Sequence, residues 1–181
     1  MTGAADIPVL TTERLRLRGF RAEDLPAHRA AVDDDPAVTW AHVRIPLAGS
    51  LRRWAERLEE WERTGFGMWI VEVAATGEVI GHAGIQRLEG TDDVELGYYL
   101  GRSSWGQGYA TETARACLAY GFEKVGLPRI VATVRTENDA SRHVLEKVGF
   151  RHDRDGIFYE AEGSLMVLDR PGDEERDRLR T

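Results

Sequence analysis

The spacing of apolar positions changes period several times along the chain, and each change marks an expected element. Leu15 and Leu17 alternate with Arg14, Arg16 and Arg18, the two-residue period of a half-buried strand whose arginines would line a solvated face. Residues 22–33 read as a helix with Glu23 and Asp24 near its start and Pro26 in its first turn. Leu51, Trp54, Ala55, Leu58 and Trp61 follow helical spacing, with Ser50 as the expected cap and Gly65 and Gly67 as the stop. Residues 68–74 and 79–88 then read as a hairpin around Thr76, Gly77 and Glu78, and Val94–Leu100 as a third strand. Ala110, Ala114, Leu118, Phe122 and Val125 trace one face of a long helix. Arg129–Arg135 is a β-branched strand, and residues 138–147 form a short helix with Gly149 as its left-handed cap. Residues 150–160 and 165–168 close the pattern as two strands. The order predicts a mixed α/β layer with a central sheet, a single domain over 12–169 between a loose lead-in (1–11) and a charged tail (170–181).

Composition narrows the classes. The chain has 181 residues, 31 acidic against 24 basic, for a formal charge of -7. That balance argues against a dedicated nucleic-acid binder and leans weakly towards cationic partners. The single cysteine, Cys117, excludes an internal disulfide framework and fits a reducing compartment; inside the long helix it reads as a small core residue. No apolar run approaches the roughly 20 residues of a membrane span, and no signal peptide is visible, so a cytoplasmic protein is expected. His28, His42, His143 and His152 share no ligand spacing, so no metal site is expected. Trp54 and Trp61 stand a heptad apart and suit the core, whereas Trp40, in a loop, is the better pocket candidate.

The most informative segment is Trp105-Gly106-Gln107-Gly108-Tyr109-Ala110, between the strand ending at Leu100 and the long helix. A strand feeding a glycine turn into a helix N-terminus presents unpaired amides and the positive end of a dipole, an anion site. The Lys-Ser/Thr of a nucleoside-triphosphate loop is missing, and Thr111 fills the place where a dinucleotide fingerprint has its last Gly or Ala. An ordinary glycine turn is equally compatible with the segment alone.

Its context resembles the GCN5-related N-acetyltransferases. Gly108 and Ala110 match the end of that family's Gln/Arg-x-x-Gly-x-Gly/Ala loop, and Trp105 stands in place of the Gln/Arg. Thr12-Glu13-Arg14-Leu15-Arg16-Leu17-Arg18, Val94-Glu95-Leu96-Gly97-Tyr98, and Asn138 and Ser141 with Gly149-Phe150 are similar to the branch of RimJ/RimL-type ribosomal-protein N-terminal acetyltransferases. The resemblance spans roughly 12–169. It implies a sheet of about seven strands flanked by about four helices, with two neighbouring strands splayed in a V. It implies acetyl-CoA as acetyl donor, its pantetheine arm in the V beside Tyr98, Tyr99 and Leu100. The pyrophosphate would rest on the amides of Gly106, Gln107, Gly108, Tyr109 and Ala110, with Trp105, Asn138 and Ser141 also at the cofactor. The acceptor would be a primary amine, on a peptide N-terminus or a small molecule, and the protein a monomer or homodimer.

Two residues are expected to move protons. The tyrosine acid that many members carry seven residues after the asparagine is Leu145 here. Ser141 shares the helical face of Asn138 and Leu145, and in the RimL-like branch a serine at this place serves the leaving thiolate; otherwise Ser141 bonds only within its helix. Glu95 stands where the family often has a glutamate and is the candidate base, if burial raises its pKa or a water intervenes. It could equally be a structural carboxylate, with His82 the alternative base. A non-catalytic acyl-CoA-binding module of the same fold would have lost these residues.

Overall fold

The structure is a computed structural model describing residues 7–39, 45–170 and 172. Its strands are β1 (Leu10–Thr11), β2 (Leu15–Arg18), β3 (Met68–Val73), β4 (Val79–Arg87), β5 (Val94–Leu100), β6 (Arg129–Arg135), β7 (Arg151–Phe158) and β8 (Ala161–Asp169). They form one eight-stranded sheet in the order β1-β2-β3-β4-β5-β6-β8-β7. Its helices are α1 (Leu25–His28), α2 (Pro36–Thr39), α3 (Leu47–Thr64), α4 (Tyr109–Tyr120) and α5 (Asp139–Lys147). The extra strand lies in the expected lead-in, where Leu10 pairs with Leu17 and Thr11 with Arg16. Trp40 and His42 lie outside the described residues, as does most of the charged tail.

The sheet alternates between two apolar layers. Trp69, Val71, Ala83, Ile85 and Leu96 face α4, whose Ala114, Cys117 and Leu118 are buried; Leu145 of α5 joins the same core. On the opposite face His28 of α1 packs edge-on against Trp54 of α3. Trp61, further along α3, meets Trp69 at 4.7 Å between ring centres, so both α3 tryptophans are core residues, as their spacing predicts. No helix among the described residues is long and apolar enough to cross a membrane.

Three local expectations need correction. Arg14 and Arg16 are exposed, as the strand period predicts, but Arg18 is not part of a solvated face. Arg18 is 5% exposed and donates to both oxygens of Asp24 at 2.7 Å and to Glu72 at 2.8 Å. Arg14 pairs with Glu112 of α4. Alternation recorded charge, but not the partners these charges face, of which Glu72 and Glu112 lie in elements distant in sequence. Ser50 does not cap α3: the helix starts at Leu47 behind the extended Pro46, and Ser50 Oγ accepts a 2.6 Å bond from Arg29 instead. The first helix is also irregular. It runs from a 3-10 turn (Ala22–Asp24) through α1 into a π-turn (Arg29–Asp33) that places Asp33 beside the site.

Candidate active site

The site is built on β5, where the sheet changes character. Upstream strands are antiparallel and fully registered: β4 and β5 pair from Gly81–Leu100 to Arg87–Val94. Against β6, β5 pairs in parallel at Glu95–Val131 and nowhere beyond, so the strands splay from that point. In an antiparallel ladder, alternate residues turn their backbone groups to one edge. Gly101 N–H bonds Ile80 O at 2.8 Å, so Tyr99 and Gly97 share its phase and face β4. Tyr98 and Leu100 therefore turn theirs to the gap. The Leu100 carbonyl is already taken by Trp105 Nε1 at 2.7 Å. The backbone edge predicted at Tyr98, Tyr99 and Leu100 thus reduces to Tyr98 and the Leu100 amide.

Side chains of β5 alternate between sheet faces, which separates two polar centres. On the α4–α5 face, Tyr98 Oη lies 2.8 Å from Ser141 Oγ and donates to Ser141 O at 3.2 Å. Asn138 Oδ1 accepts from Ser141 N at 3.0 Å, so Asn138 is the N-cap of α5 and fixes the turn carrying Ser141. Burial pushes the Tyr98 hydroxyl up to about 12, against the opposing pull of the Ser141 bond. On the other face Glu95, 4% exposed, accepts from Gln86 Nε2 at 2.8 Å and from Tyr159 Oη on Oε1. Thr133 Oγ1 lies 3.4 Å from Oε2. Burial raises its pKa, partly offset by the Tyr159, Gln86 and Thr133 bonds. Both centres line one cavity of about 800 Å³, continuous through the gap between β5 and β6.

The glycine turn lies at the mouth of the V. Gly106 (φ 73°) and Gly108 (φ 79°) are both left-handed, and α4 starts at Tyr109 with its first amides unpaired by geometry. A Cβ at Gly106 would meet nothing within 4 Å; at Gly108 it would meet only Arg14 Nη2, at 3.4 Å. That open cradle with aligned amides fits a pyrophosphate. The two ends of the sequence pattern brace it. Arg14 Nη1 donates to Gln107 O at 2.9 Å, Arg14 Nε to Glu112 Oε2 at 2.7 Å, and Thr12 Oγ1 to Glu112 Oε1 at 2.6 Å. The Arg14 guanidinium also lies 4.7 Å from the centre of the Tyr109 ring. Burial raises the Glu112 pKa, but the Thr12 and Arg14 bonds outweigh it and hold it below the usual value. Trp105 itself is 53% exposed, its indole N–H spent on Leu100.

His82, the alternative base, has neither ring nitrogen free. Arg57 Nη2 contacts Nε2 at 2.9 Å, and His28 Nε2 contacts Nδ1 at 2.8 Å. Because a guanidinium only donates, His82 carries its proton on Nδ1 and gives it to His28, which then carries its own on Nδ1, 3.9 Å from Asp33. Burial pushes His82 well below its ordinary value and His28 to about 4. Cys117 is fully buried and burial pushes its thiol up, so it is no nucleophile.

Every predicted site residue except Trp105 and the loop lies on the cavity or lends its backbone to the gap. Sequence reasoning missed the Tyr98 hydroxyl, Tyr159 and the His28–His82–Arg57 chain. The sequence resemblance marks Tyr98 for its backbone alone. Tyr159 lies 64 positions from Glu95, and no spacing signals that pair.

The family model for the acetyltransferase (GNAT) domain matches residues 14–151, and the chain belongs to that family. It is an acetyl-CoA-dependent N-acetyltransferase. Among curated relatives, an uncharacterized N-acetyltransferase of Bacillus subtilis, YnaD, is 39% identical over 149 residues, covering 82% of this chain and 85% of the relative. Among solved structures, an acetyltransferase of Agrobacterium tumefaciens superposes with TM-score 0.80 at 31% identity, covering 90% of this chain and 95% of that one. Two structures of lower identity share the fold. Spermidine N-acetyltransferase of Vibrio cholerae in complex with CoA and spermine (18%, TM-score 0.73) covers 88% of this chain and 97% of its own. RimL, a ribosomal L7/L12 alpha-N-protein acetyltransferase in complex with coenzyme A (17%, TM-score 0.73), covers 90% and 98%.

Proposed function

We propose that the protein transfers acetyl directly to a primary amine in a ternary complex, with the amine entering from the Glu95 face and the donor from the Ser141 face. The observation that carries this reading is the placement of the two polar centres on opposite faces of β5, joined through the gap beside Glu95–Val131. Acetyl-CoA supplies the activated acetyl group and a thiolate leaving group. The amides of Gly106, Gln107, Gly108, Tyr109 and Ala110 hold its pyrophosphate, and the free edge at Tyr98 and Leu100 holds its pantetheine. Glu95 takes the ammonium proton of the acceptor, a task favoured by the burial that raises its pKa. Ser141 Oγ hydrogen-bonds the departing sulfur, with Tyr98 Oη behind it as the proton source. Asn138 positions Ser141.

The acceptor is a primary amine of a polypeptide N-terminus or of a small molecule. The RimJ/RimL-type reading is supported by the shared fold of RimL, and the small-molecule reading by that of the spermidine enzyme. Free-thiol release from acetyl-CoA, screened over peptides of varied N-terminus and a panel of amines, identifies the acceptor. Initial rates over both substrates should give intersecting lines; parallel lines, the mark of an acyl-enzyme, would overturn direct transfer.

A further inference from the structure

The turn joining β7 to β8 is built against its own backbone preference. Phe158 pairs with Ala161, leaving Tyr159 and Glu160 as a two-residue loop with φ 49° and 62°. Such loops need two left-handed residues and usually hold Asn-Gly. A residue with a Cβ is disfavoured there because the Cβ crowds the following carbonyl oxygen. Tyr159 and Glu160 are also the positive-φ residues other than glycine among those described. Backbone strain retained at one place is a pointer to function when a contact depends on it. Here the contact is the Tyr159 hydroxyl on Glu95 Oε1, made by a ring that is 47% exposed.

A carboxylate oxygen accepts about two hydrogen bonds. Oε1 has both, from Gln86 and Tyr159. Oε2 has one long contact, Thr133 Oγ1 at 3.4 Å, from β6 across the splayed pair. We infer that Tyr159 is a positioning residue: with Gln86 it saturates Oε1, leaves Oε2 as the atom that accepts the amine proton, and sets the pH at which Glu95 ionises. In that step an N–H bond of the ammonium breaks, an O–H bond forms on Oε2, and the amine keeps its electron pair for attack. A hydroxyl that donates to the ionised carboxylate offsets its desolvation, so the base stays charged down to a lower pH. Other titratable or charged groups on the same cavity are Tyr98 and Tyr99 on β5, His82 and Arg87 on β4, Glu89 just after it, Asp33 in the π-turn, Arg53, Glu56, Arg57, Glu60 and Arg63 on α3, Arg135 on β6 and Glu162 on β8. Among the described contacts, none bonds to Glu95. The inference rests on Glu95 acting as base, but its first test does not.

That test titrates the Glu95 carboxyl by carbon NMR in the full chain, assigned through Glu95→Gln. Tyr159→Phe should raise the midpoint by about one unit, a tenfold change in its acid constant. The acidic limb of kcat/KM should rise with it. An unmoved midpoint overturns the inference. A midpoint that moves while the limb stays supports the Tyr159–Glu95 coupling and overturns the base assignment instead. Glu160→Gly relaxes the turn and keeps the hydroxyl. It should raise Tm and leave the midpoint in place; if it shifts the midpoint as far as Tyr159→Phe does, turn geometry and not the hydroxyl sets Glu95, and the inference fails.

Discussion

Tyr98 Oη and Ser141 Oγ lie 2.8 Å apart, bridging β5 and α5 where the sheet opens. Either oxygen can donate, so the pair can pass a proton without moving heavy atoms. Ser141→Ala should lower kcat by about 10 to 1,000-fold, about 1.4 to 4 kcal/mol of transition-state stabilisation, with acetyl-CoA affinity little changed. Tyr98→Phe should lower it similarly, and the double variant by less than the product, because the two act as one unit. Independent, multiplicative losses would show that the bond is structural.

Gly108→Val places a branched side chain at a left-handed residue, 3.4 Å from Arg14 Nη2 and over the proposed pyrophosphate cradle. Acetyl-CoA affinity by calorimetry should fall at least tenfold. The conformational strain of roughly 1–2 kcal/mol should lower Tm by a few degrees. Gly126→Val, at an equally left-handed residue with open space around it and away from the cradle, gives the same strain and serves as its comparison.

Glu95→Gln separates stability from activity. Burial raises the folded-state pKa of Glu95, so the native protein holds its proton more tightly than the unfolded chain does. With more protons bound to the native state, the contribution of Glu95 to stability falls as pH rises above the unfolded value of about 4.3. The neutral amide escapes that loss. Its Tm should exceed that of the parent at pH 8, by more than at pH 5, while kcat falls and the acidic limb of the rate profile disappears.

Arg18 is buried between Asp24 and Glu72, and the hydrogen bond to Asp24 leads in holding its pKa above the ordinary value. Arg18→Met leaves two buried carboxylates without their cation and should destabilise by about 3–5 kcal/mol, read from denaturant unfolding. Arg16→Met, whose side chain is 45% exposed, should change stability by less than about 1 kcal/mol.

Much of the architecture was legible because it depends on local periodicity. Val94–Leu100 and Arg129–Arg135 occupy the expected residues, and α5 starts one residue after Asn138, as a cap requires. The errors came where a side chain's partner is distant. Ser50 has the chemistry of a cap, but Arg29 claims its oxygen. Arg14, Arg16 and Arg18 show a strand period that cannot reveal Glu112, Glu72 or Asp24 opposite them. The site divides the same way. Glu95 and Ser141 were visible as residue types in a motif. The faces they occupy follow from the phase of β5, and the Tyr159 contact follows from a hairpin whose tip residues carry no turn signature.

The brace between Thr12, Arg14 and Glu112 links residues about 100 positions apart. During synthesis β2 emerges long before α4, so the glycine turn can take its final form only after the amino-terminal strand has found β3 and waited for the helix. Contacts of such separation slow folding and make the last-joined piece the first to detach. A ligand seated on the turn should therefore protect amides at residues 12–18 from hydrogen exchange, although it touches none of their backbone groups.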